Sequence, residues 1–467
     1  MIVMKFGGTS VEDAASVKRV ADIIKARLKQ KPLVVVSAMG KTTRRLLEAA
    51  EASAAGDTRS TLAVIAALKT RHLSEARRLV KSSPGRHVFE QIDLYFDELK
   101  KLLEGLAILG EVPPRGLDKI LAYGELLSSA IVAGALAERG IPAQLLDARE
   151  FIKTDDRFGS ASPLFEITNE AINQNVRPIL EEGAVPVVQG FIGATREGAT
   201  TTLGFEGSDY TATILGAALE ADDIQIWKDV SGLMTADPDV FEGARTVKVC
   251  TYREAADLTY FGAKVLHPKA IHPAAQKNIP VHIFNSKQPD AKGTSIGANA
   301  PRSSNVVKSI AYKRPVTILR INQDLSADSG RAVSQNEFLR TVLLALNRRR
   351  ITPLVTAVSS SSVALAIDAR AAGNTGVRDL MEELSRFSRA SMDDGRALIS
   401  LVGEELPGDR RLAGRVFNSV GDVEVQAILQ GSSPLTLSFV VGQDDVEKVI
   451  ESLHDELFKK VDSRIFE

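Results

Sequence analysis

Lys5-Phe6-Gly7-Gly8-Thr9-Ser10-Val11 follows a short apolar run, Ile2–Phe6, and precedes Val17, Val20, Ile24 and Leu28 at helical spacing. Two glycines between a strand and a helix let backbone N–H groups approach an anion closely. A helix N-terminus adds unpaired donors and a favourable dipole. With Lys5 as a mobile positive charge, these features suit a phosphate. The segment is not a GxxxxGK[ST] loop. A lone Gly-Gly would be only a tight turn, but three further segments carry chemistry of the same kind. Thr200-Thr201-Thr202-Leu203-Gly204 leads into Gly207-Ser208-Asp209-Tyr210-Thr211-Ala212, again a glycine-containing loop that opens a helix. Asp209 is placed there to hold Lys5 or a magnesium ion, while its plain alternative is that Ser208 or Asp209 caps the helix. Trp227-Lys228-Asp229-Val230-Ser231-Gly232, followed by Thr235-Ala236-Asp237-Pro238, puts polar groups after a buried strand, where ligands of open α/β sheets sit. Phe261-Gly262-Ala263-Lys264-Val265-Leu266-His267-Pro268 places another lysine soon after a glycine. Taken singly, the last two would be an ordinary turn and a surface lysine.

The elements that must position these residues alternate. Leu33–Ser37, Ile141–Leu146, Val185–Phe191, Ile224–Val230 and Ile279–Phe284 are continuous apolar runs, as expected for strands buried on both faces. Helical stretches such as Asp209–Leu219 lie between them, which predicts an α/β domain with a mainly parallel sheet. Residues about 60–120 are helix-rich, with Val88–Leu106 strongly periodic, and are expected as an insertion over that sheet. The turn-rich segment Ser286–Ser304 marks the expected end of this domain, taken as residues 1–300. Beyond it a strand-helix-strand-strand unit recurs: Pro315–Ile321, Phe338–Leu346, Leu354–Val358 and Val363–Ile367, then Ala397–Val402, Leu412–Val420, Val423–Leu429 and Leu435–Val441. Two similar α+β domains are expected, over 308–390 and 395–467, the last ending in an amphipathic helix, Val446–Phe458.

Composition narrows the function. A formal net charge of -1 gives no basic excess for nucleic acid, so no nucleic-acid partner is expected. The start does not resemble a signal peptide, and no apolar run is long enough to span a bilayer, so no membrane association is expected. The single cysteine, Cys250, precludes an internal disulfide framework and fits a cytoplasmic protein. Six scattered histidines without HExxH offer no zinc site, and no metal ligand from the protein is expected.

The four chemical segments, in this order, resemble those of the amino-acid kinase family, and of its aspartate kinases in particular, whose pattern runs KFGGTSV, TTLGRGGSDYTA, IWTDVDG, TADPR and FGAKVLHP. KFGGTSV and FGAKVLHP are intact here, and the C-terminal repeat looks like paired ACT domains, so the resemblance covers nearly the whole chain. It implies a three-layer αβα sandwich followed by two βαββαβ-like ACT domains. It implies ATP-dependent phosphorylation of the aspartate side-chain carboxylate, with Mg2+, on the way to lysine, threonine and methionine. Lys5 and Asp209 would be catalytic, with Asp209 organising the lysine. Lys5, Gly7, Gly8, Ser37, Asp229, Met234, Lys264 and Val265 would contact ATP. Thr42, Glu125, Gly207 and Ser208 would face aspartate. Lysine and/or threonine would act as effectors at the ACT domains, and the chain would form a homodimer or larger homo-oligomer.

Several positions depart from the pattern. The family arginine of LGRGGSD is Phe205, and the glycine after it is Glu206. The threonine of IWTDV is Lys228, an aromatic position is Met234, and the arginine of TADPR is Asp239, so positive charge is gained and lost within one short segment. In the repeat, Glu337 replaces the glycine before Phe338-Leu339, and Pro353 stands where lysine-sensitive relatives have an aspartate.

Overall fold

The computed structural model describes residues 1–467 except 82–84, 205, 264, 265, 268, 302, 324–333, 350, 370–373 and 432. The chain divides into two compact units. The first comprises Met1–Leu233, Lys248–Tyr252 and Val265–Ala300. The second comprises Met234–Val247, Arg253–Lys264 and Pro301–Glu467.

The first unit is built on an eight-stranded sheet. Its strands are β1 (Ile2–Phe6), β2 (Pro32–Val36), β3 (Ala143–Leu146), β4 (Val185–Gln189), β7 (Asp223–Lys228), β8 (Val249–Thr251), β9 (Val281–Asn285) and β10 (Thr294–Gly297). A short hairpin, β5 (Ile192–Ala194) and β6 (Thr200–Thr202), stands apart from it. The order is β3-β4-β2-β1-β7-β9-β10-β8, parallel throughout except between β9 and β10. Every residue of β1, β2 and β4 is buried, which is why these segments read as unbroken apolar runs. The expected strands are present with shifted ends. β3 starts only at Ala143 because Pro142 has no N–H to donate. β4 stops at Gln189, before Gly190 and a left-handed Phe191 (φ 70°).

Long helices Thr58–Leu79, His87–Leu109 and Pro114–Glu138 fill the helix-rich region. The last is the one helix among the described residues long and apolar enough to cross a membrane by length and composition, contrary to the reading of the sequence. Its most apolar window is 89% buried, so it is a core helix instead. β1 lies between β2 and β7, so the strand order runs outward on one side through β2, β4 and β3 and on the other through β7 and β9. The crevice at the carboxyl ends of such strands is where an open α/β sheet accepts a ligand.

The second unit carries a six-stranded antiparallel sheet, ordered β12-β13-β11-β14-β16-β15. These strands are β11 (Val307–Gln323), β12 (Pro353–Val358), β13 (Ser362–Asp368), β14 (Ser388–Gly403), β15 (Ala427–Gln430) and β16 (Thr436–Gly442). β11 and β14 are long enough to serve both repeats. Val316–Asn322 pairs with β13, whereas Val307–Lys313 pairs with Leu398–Gly403, the part of β14 that also pairs with β16. Each half is thus a four-stranded sheet, and the second takes its fourth strand from residues upstream of the first. The first half packs Leu319, Ile321, Leu365 and Ile367 under Phe338, Val342 and Leu346 of helix Gln335–Arg348 and Leu380 and Leu384 of helix Asn374–Ser385. Ser334 caps the first of these helices by accepting from Glu337 N–H, a capping-box spacing that gives Glu337 a local reason to stand there. Pro353 opens an edge strand, a position that needs no ladder N–H. Segment Arg253–Ala263 belongs to this unit: Lys308 Nζ lies 2.9 Å from the fully buried Glu254, and Tyr260 Oη donates to Pro353 O at 3.2 Å.

Candidate active site

The central strands bring their carboxyl ends together by register. Phe6 lies level with Val36 and Trp227. Past that level the chains stay joined: Gly7 N–H donates to Trp227 O at 2.9 Å, Ser37 N–H to Phe6 O at 3.1 Å and Gly190 N–H to Val36 O at 2.9 Å. The loops after β1, β2, β4 and β7 therefore form one floor. Gly8 is required there by close approach, since a Cβ would lie 2.8 Å from Ala38 O and 3.2 Å from Gly40 O. The expected helix dipole after Gly7-Gly8 is not at hand, because turns intervene and the next helix starts only at Ala14, capped by Asp13. The helix N-terminus that faces the floor is that of Gly207–Leu219. It approaches so closely that a Cβ on Gly190 would lie 2.5 Å from the Ser208 Cβ. Neither Ser208 nor Asp209 caps this helix. The cap residue is Glu206, in left-handed backbone (φ 58°), and its side chain makes no cap bond.

Asp209, fully buried in the first turn of that helix, sits between two ammonium groups. Lys5 Nζ is 2.6 Å from one carboxylate oxygen and Lys228 Nζ 3.1 Å from the other. Glu206 adds a carboxylate oxygen 3.9 Å from Lys228 Nζ. Burial pushes the Asp209 carboxyl up, but Lys228 and Lys5 outweigh it and hold the group below its ordinary range. Burial lowers Lys5, and the nearby Lys228 lowers it further against the pull of Asp209. For Lys228, Asp209 and Glu206 overcome burial and raise it. The arrangement keeps two cations at the crevice floor with one carboxylate orienting both, beside a helix N-terminus. That is a site for the oxygens of a phosphate.

A second pocket of polarity lies behind β2. The Glu125 carboxylate accepts from Ala38 N–H at 3.2 Å through Oε1, and Oε2 has no hydrogen-bond partner among the described residues. Burial pushes this carboxyl up to about 8. Buried Thr42 donates to Met39 O at 2.6 Å in the same loop. Asp118 fixes the other wall. Its carboxylate accepts from Gly159 N–H, from Thr202 N–H at 2.8 Å and from Thr202 Oγ1 at 2.8 Å, so it holds β6 where the chain turns toward Glu206 and Gly207.

Of the residues singled out in the sequence, Lys5, Gly7, Gly8, Ser37, Gly207, Ser208 and Asp209 share this floor, and Glu125 and Thr42 bound the loop that follows β2. Asp229 follows Lys228 at the surface. Met234 falls in the second unit. Lys264, Val265 and Phe205 lie outside the described residues. No residue pattern signals the Lys228–Asp209 contact or the Asp118 clamp. The first depends on which strand lies beside β1, the second on where the β5-β6 hairpin packs against helix Pro114–Glu138.

The amino acid kinase family model matches residues 1–285, and an ACT domain model matches residues 399–457. Among curated proteins, aspartokinase 1 of the Arabidopsis thaliana chloroplast is 36% identical, over 98% of this chain and 80% of that protein. The lysine-sensitive aspartokinase 3 of Escherichia coli is 34% identical, over 98% of this chain and 99% of that protein. Among solved structures, E. coli aspartokinase III in complex with aspartate and ADP superposes with a TM-score of 0.90 at 33% identity, covering 98% of this chain and 100% of that one.

Proposed function

The chain belongs to the amino acid kinase family, among its aspartokinases, and on that footing we propose that it transfers the γ-phosphoryl group of ATP to the side-chain carboxylate of aspartate at the floor built by Lys5, Gly7, Gly8 and Asp209. The observation that carries the assignment of the site is the pair of buried ammonium groups on one carboxylate at the ends of β1 and β7. The acceptor carboxylate is ionised near neutral pH, its ordinary pKa being about 4, so no general base is required. The obstacle is bringing two anions together. Lys5 neutralises phosphoryl oxygens, Asp209 holds its ammonium group in place, and the N-terminus of Gly207–Leu219 points donors the same way. Gly8 keeps the β1 and β2 loops in contact, which fixes the reacting groups relative to each other. Thr42, Glu125, Gly207 and Ser208 hold aspartate, Glu125 offering its unpartnered oxygen to the ammonium group. Ser37 and Asp229 belong to the nucleotide side, and the matching assignments of Met234, Lys264 and Val265 rest on motif alone.

Mg2+ would enter on the nucleotide and supply charge neutralisation of its phosphates. Mg2+ usually keeps several waters and binds mainly through substrate phosphates, so it needs no cage of protein ligands. We assign catalysis to residues 1–300 and effector sensing to 308–390 and 395–467, with strand residues 307–313 completing the second ACT sheet. An amino-acid effector, lysine or threonine, belongs to the same proposal, as does a cytoplasmic location, supported by the lone Cys250. Self-association is supported by exposed Val358 and Ile428 on the two edge strands β12 and β15, and by Leu343 and Leu344 on helix Gln335–Arg348. The test is hydroxylamine trapping of acyl phosphate with MgATP and either aspartate or glutamate. Aspartate-dependent hydroxamate is expected. Preference for glutamate, or product with neither, overturns the reading.

A further inference from the structure

We propose that Lys228 is a second catalytic cation of the phosphoryl-transfer site, contacting nucleotide phosphate oxygens alongside Lys5, and that Glu206 is the carboxylate that restrains it. The proposal rests on the reading above and adds residues to the same site.

Lys228 ends β7, the neighbour of β1, one residue past the register level of Phe6. Its side chain runs beside the Gly7 backbone: a Cβ on Gly7 would have Lys228 Cγ and Lys5 Nζ both at 3.8 Å. The Lys228 side-chain stem and the Lys5 ammonium group therefore flank one glycine turn from neighbouring strands.

The simpler account makes Lys228 a counter-ion for Asp209. Lys5 already fills that role at 2.6 Å. Adding a second ammonium at 3.1 Å places two like charges on one carboxylate, and Lys228 indeed lowers the proton affinity of Lys5. Like charges in a buried site are unfavourable unless further anions meet them. The nearest is Glu206, whose oxygen lies 3.9 Å away, beyond hydrogen-bond distance, and whose carboxyl is pushed up by burial. Asp229 follows on the same strand end and is exposed. Asp209 is thus divided between Lys5 and Lys228, one oxygen to each, and the Lys228 contact is one that a phosphate oxygen can share.

Glu206 has its own signature. It occupies left-handed backbone, which favours glycine, and it caps the helix without a side-chain bond. A non-glycine residue held in that conformation next to a ligand site is the kind of strain that function retains. The related pattern carries glycine and threonine where this chain has Glu206 and Lys228, so the two opposite charges are gained together, and the structure sets them side by side.

The test uses the full-length protein with Lys228→Met, Lys228→Arg and Glu206→Gln. MgADP and aspartate affinities are measured by calorimetry, and kcat and KM by ADP release. Lys228→Met is expected to lower kcat about 100-fold and MgADP affinity about 10-fold, with aspartate affinity within about twofold of wild type. Lys228→Arg should recover most of both losses, because charge and not packing is at stake. Glu206→Gln should tighten MgADP severalfold by freeing Lys228. If Lys228→Met leaves kcat and MgADP affinity within about twofold while lowering only thermal stability, Lys228 is a structural counter-ion and the proposal falls. Should Lys228→Met prove insoluble, unchanged MgADP affinity in Glu206→Gln overturns it equally. Absence of aspartate-dependent turnover in the wild type would sink the parent reading instead, and the MgADP comparison would still decide the place of Lys228.

Discussion

Asp209→Asn should destabilise the protein by about 3–5 kcal/mol and remove turnover, because it takes the shared carboxylate from between two buried ammonium groups. The separations are 2.6 Å to Lys5 and 3.1 Å to Lys228, with side-chain exposures of 6% and 13% for the lysines and 0% for Asp209. At an effective dielectric near 20 these correspond to gross attractions of about 6 and about 5 kcal/mol. Desolvation of three ions cancels much of that sum, and breaking a buried pair leaves the net figure above. The pH dependence carries the sign. In the wild type, Asp209 sits below its ordinary range, so its contribution is present above about pH 4 and is lost as pH falls through the folded value. In the variant, both lysines titrate below their unfolded value of about 10.4, so the folded state sheds protons first. The deficit should therefore be largest near neutral pH and shrink as pH rises from about 8 towards 10. Urea denaturation of both proteins across that range measures it. A deficit below about 1 kcal/mol, or one that grows with pH, would refute the charge reasoning.

Other consequences are as direct. Glu125 titrates near 8 in the fold because of burial, so its ionisation costs stability as pH rises from about 4.5 to 8, and Glu125→Gln should be more stable than wild type at pH 8 by a few kcal/mol and equal to it near pH 4. An ammonium group arriving at Glu125 should expel its proton, so aspartate binding near pH 7 should release protons; calorimetry in buffers of different ionisation enthalpy reads this, and no buffer dependence contradicts it. Gly190→Ala should cost about 1–3 kcal/mol and lower kcat by about tenfold or more by pushing Ser208 away, with Ser208→Gly in the same chain recovering only part of the stability because the Ser208 Cα would still lie 2.8 Å from the added Cβ; intact kcat would mean the helix start is not held against this loop. Lys308→Met removes the 2.9 Å ion pair to the buried Glu254, and a loss of about 3–5 kcal/mol in chemical denaturation is expected; a change below about 1 kcal/mol would show the pair to be dispensable.

The sheet of the first unit was legible because its central strands are buried on both faces, and a run such as Leu33–Val36 carries that fact in its residue types. The ends were less legible, since Pro142 and the left-handed Phe191 act on single hydrogen bonds. Lys5 and Asp209 stood out because each follows or precedes glycine at a strand-helix junction. Lys228 stood out only as a charge gained against the family pattern; its contact with Asp209 and the bonds of Asp118 did not show, because those partners are 19 and 84 residues away along the chain and are fixed only by strand order and loop packing. The helix after Gly7-Gly8 misled for a related reason: periodicity from Val17 onward located the helix, but Asp13 starts it well beyond the glycines. In the second unit the repeat showed in the alternation of strands and helices. Its interlacing did not, because nothing in Val307–Lys313 says that its partner is Leu398–Gly403 and not the next strand of its own half.

If Lys5, held by Asp209, performs phosphoryl transfer, a single-turnover measurement of acyl phosphate with Lys5→Met, trapped by hydroxylamine at saturating MgATP and aspartate, should expose it. The transfer rate should fall about 1,000-fold, with aspartate affinity by calorimetry within about threefold of wild type. A variant that still forms aspartyl hydroxamate within about tenfold of the wild-type rate would contradict it and move the catalytic cation elsewhere in the fold.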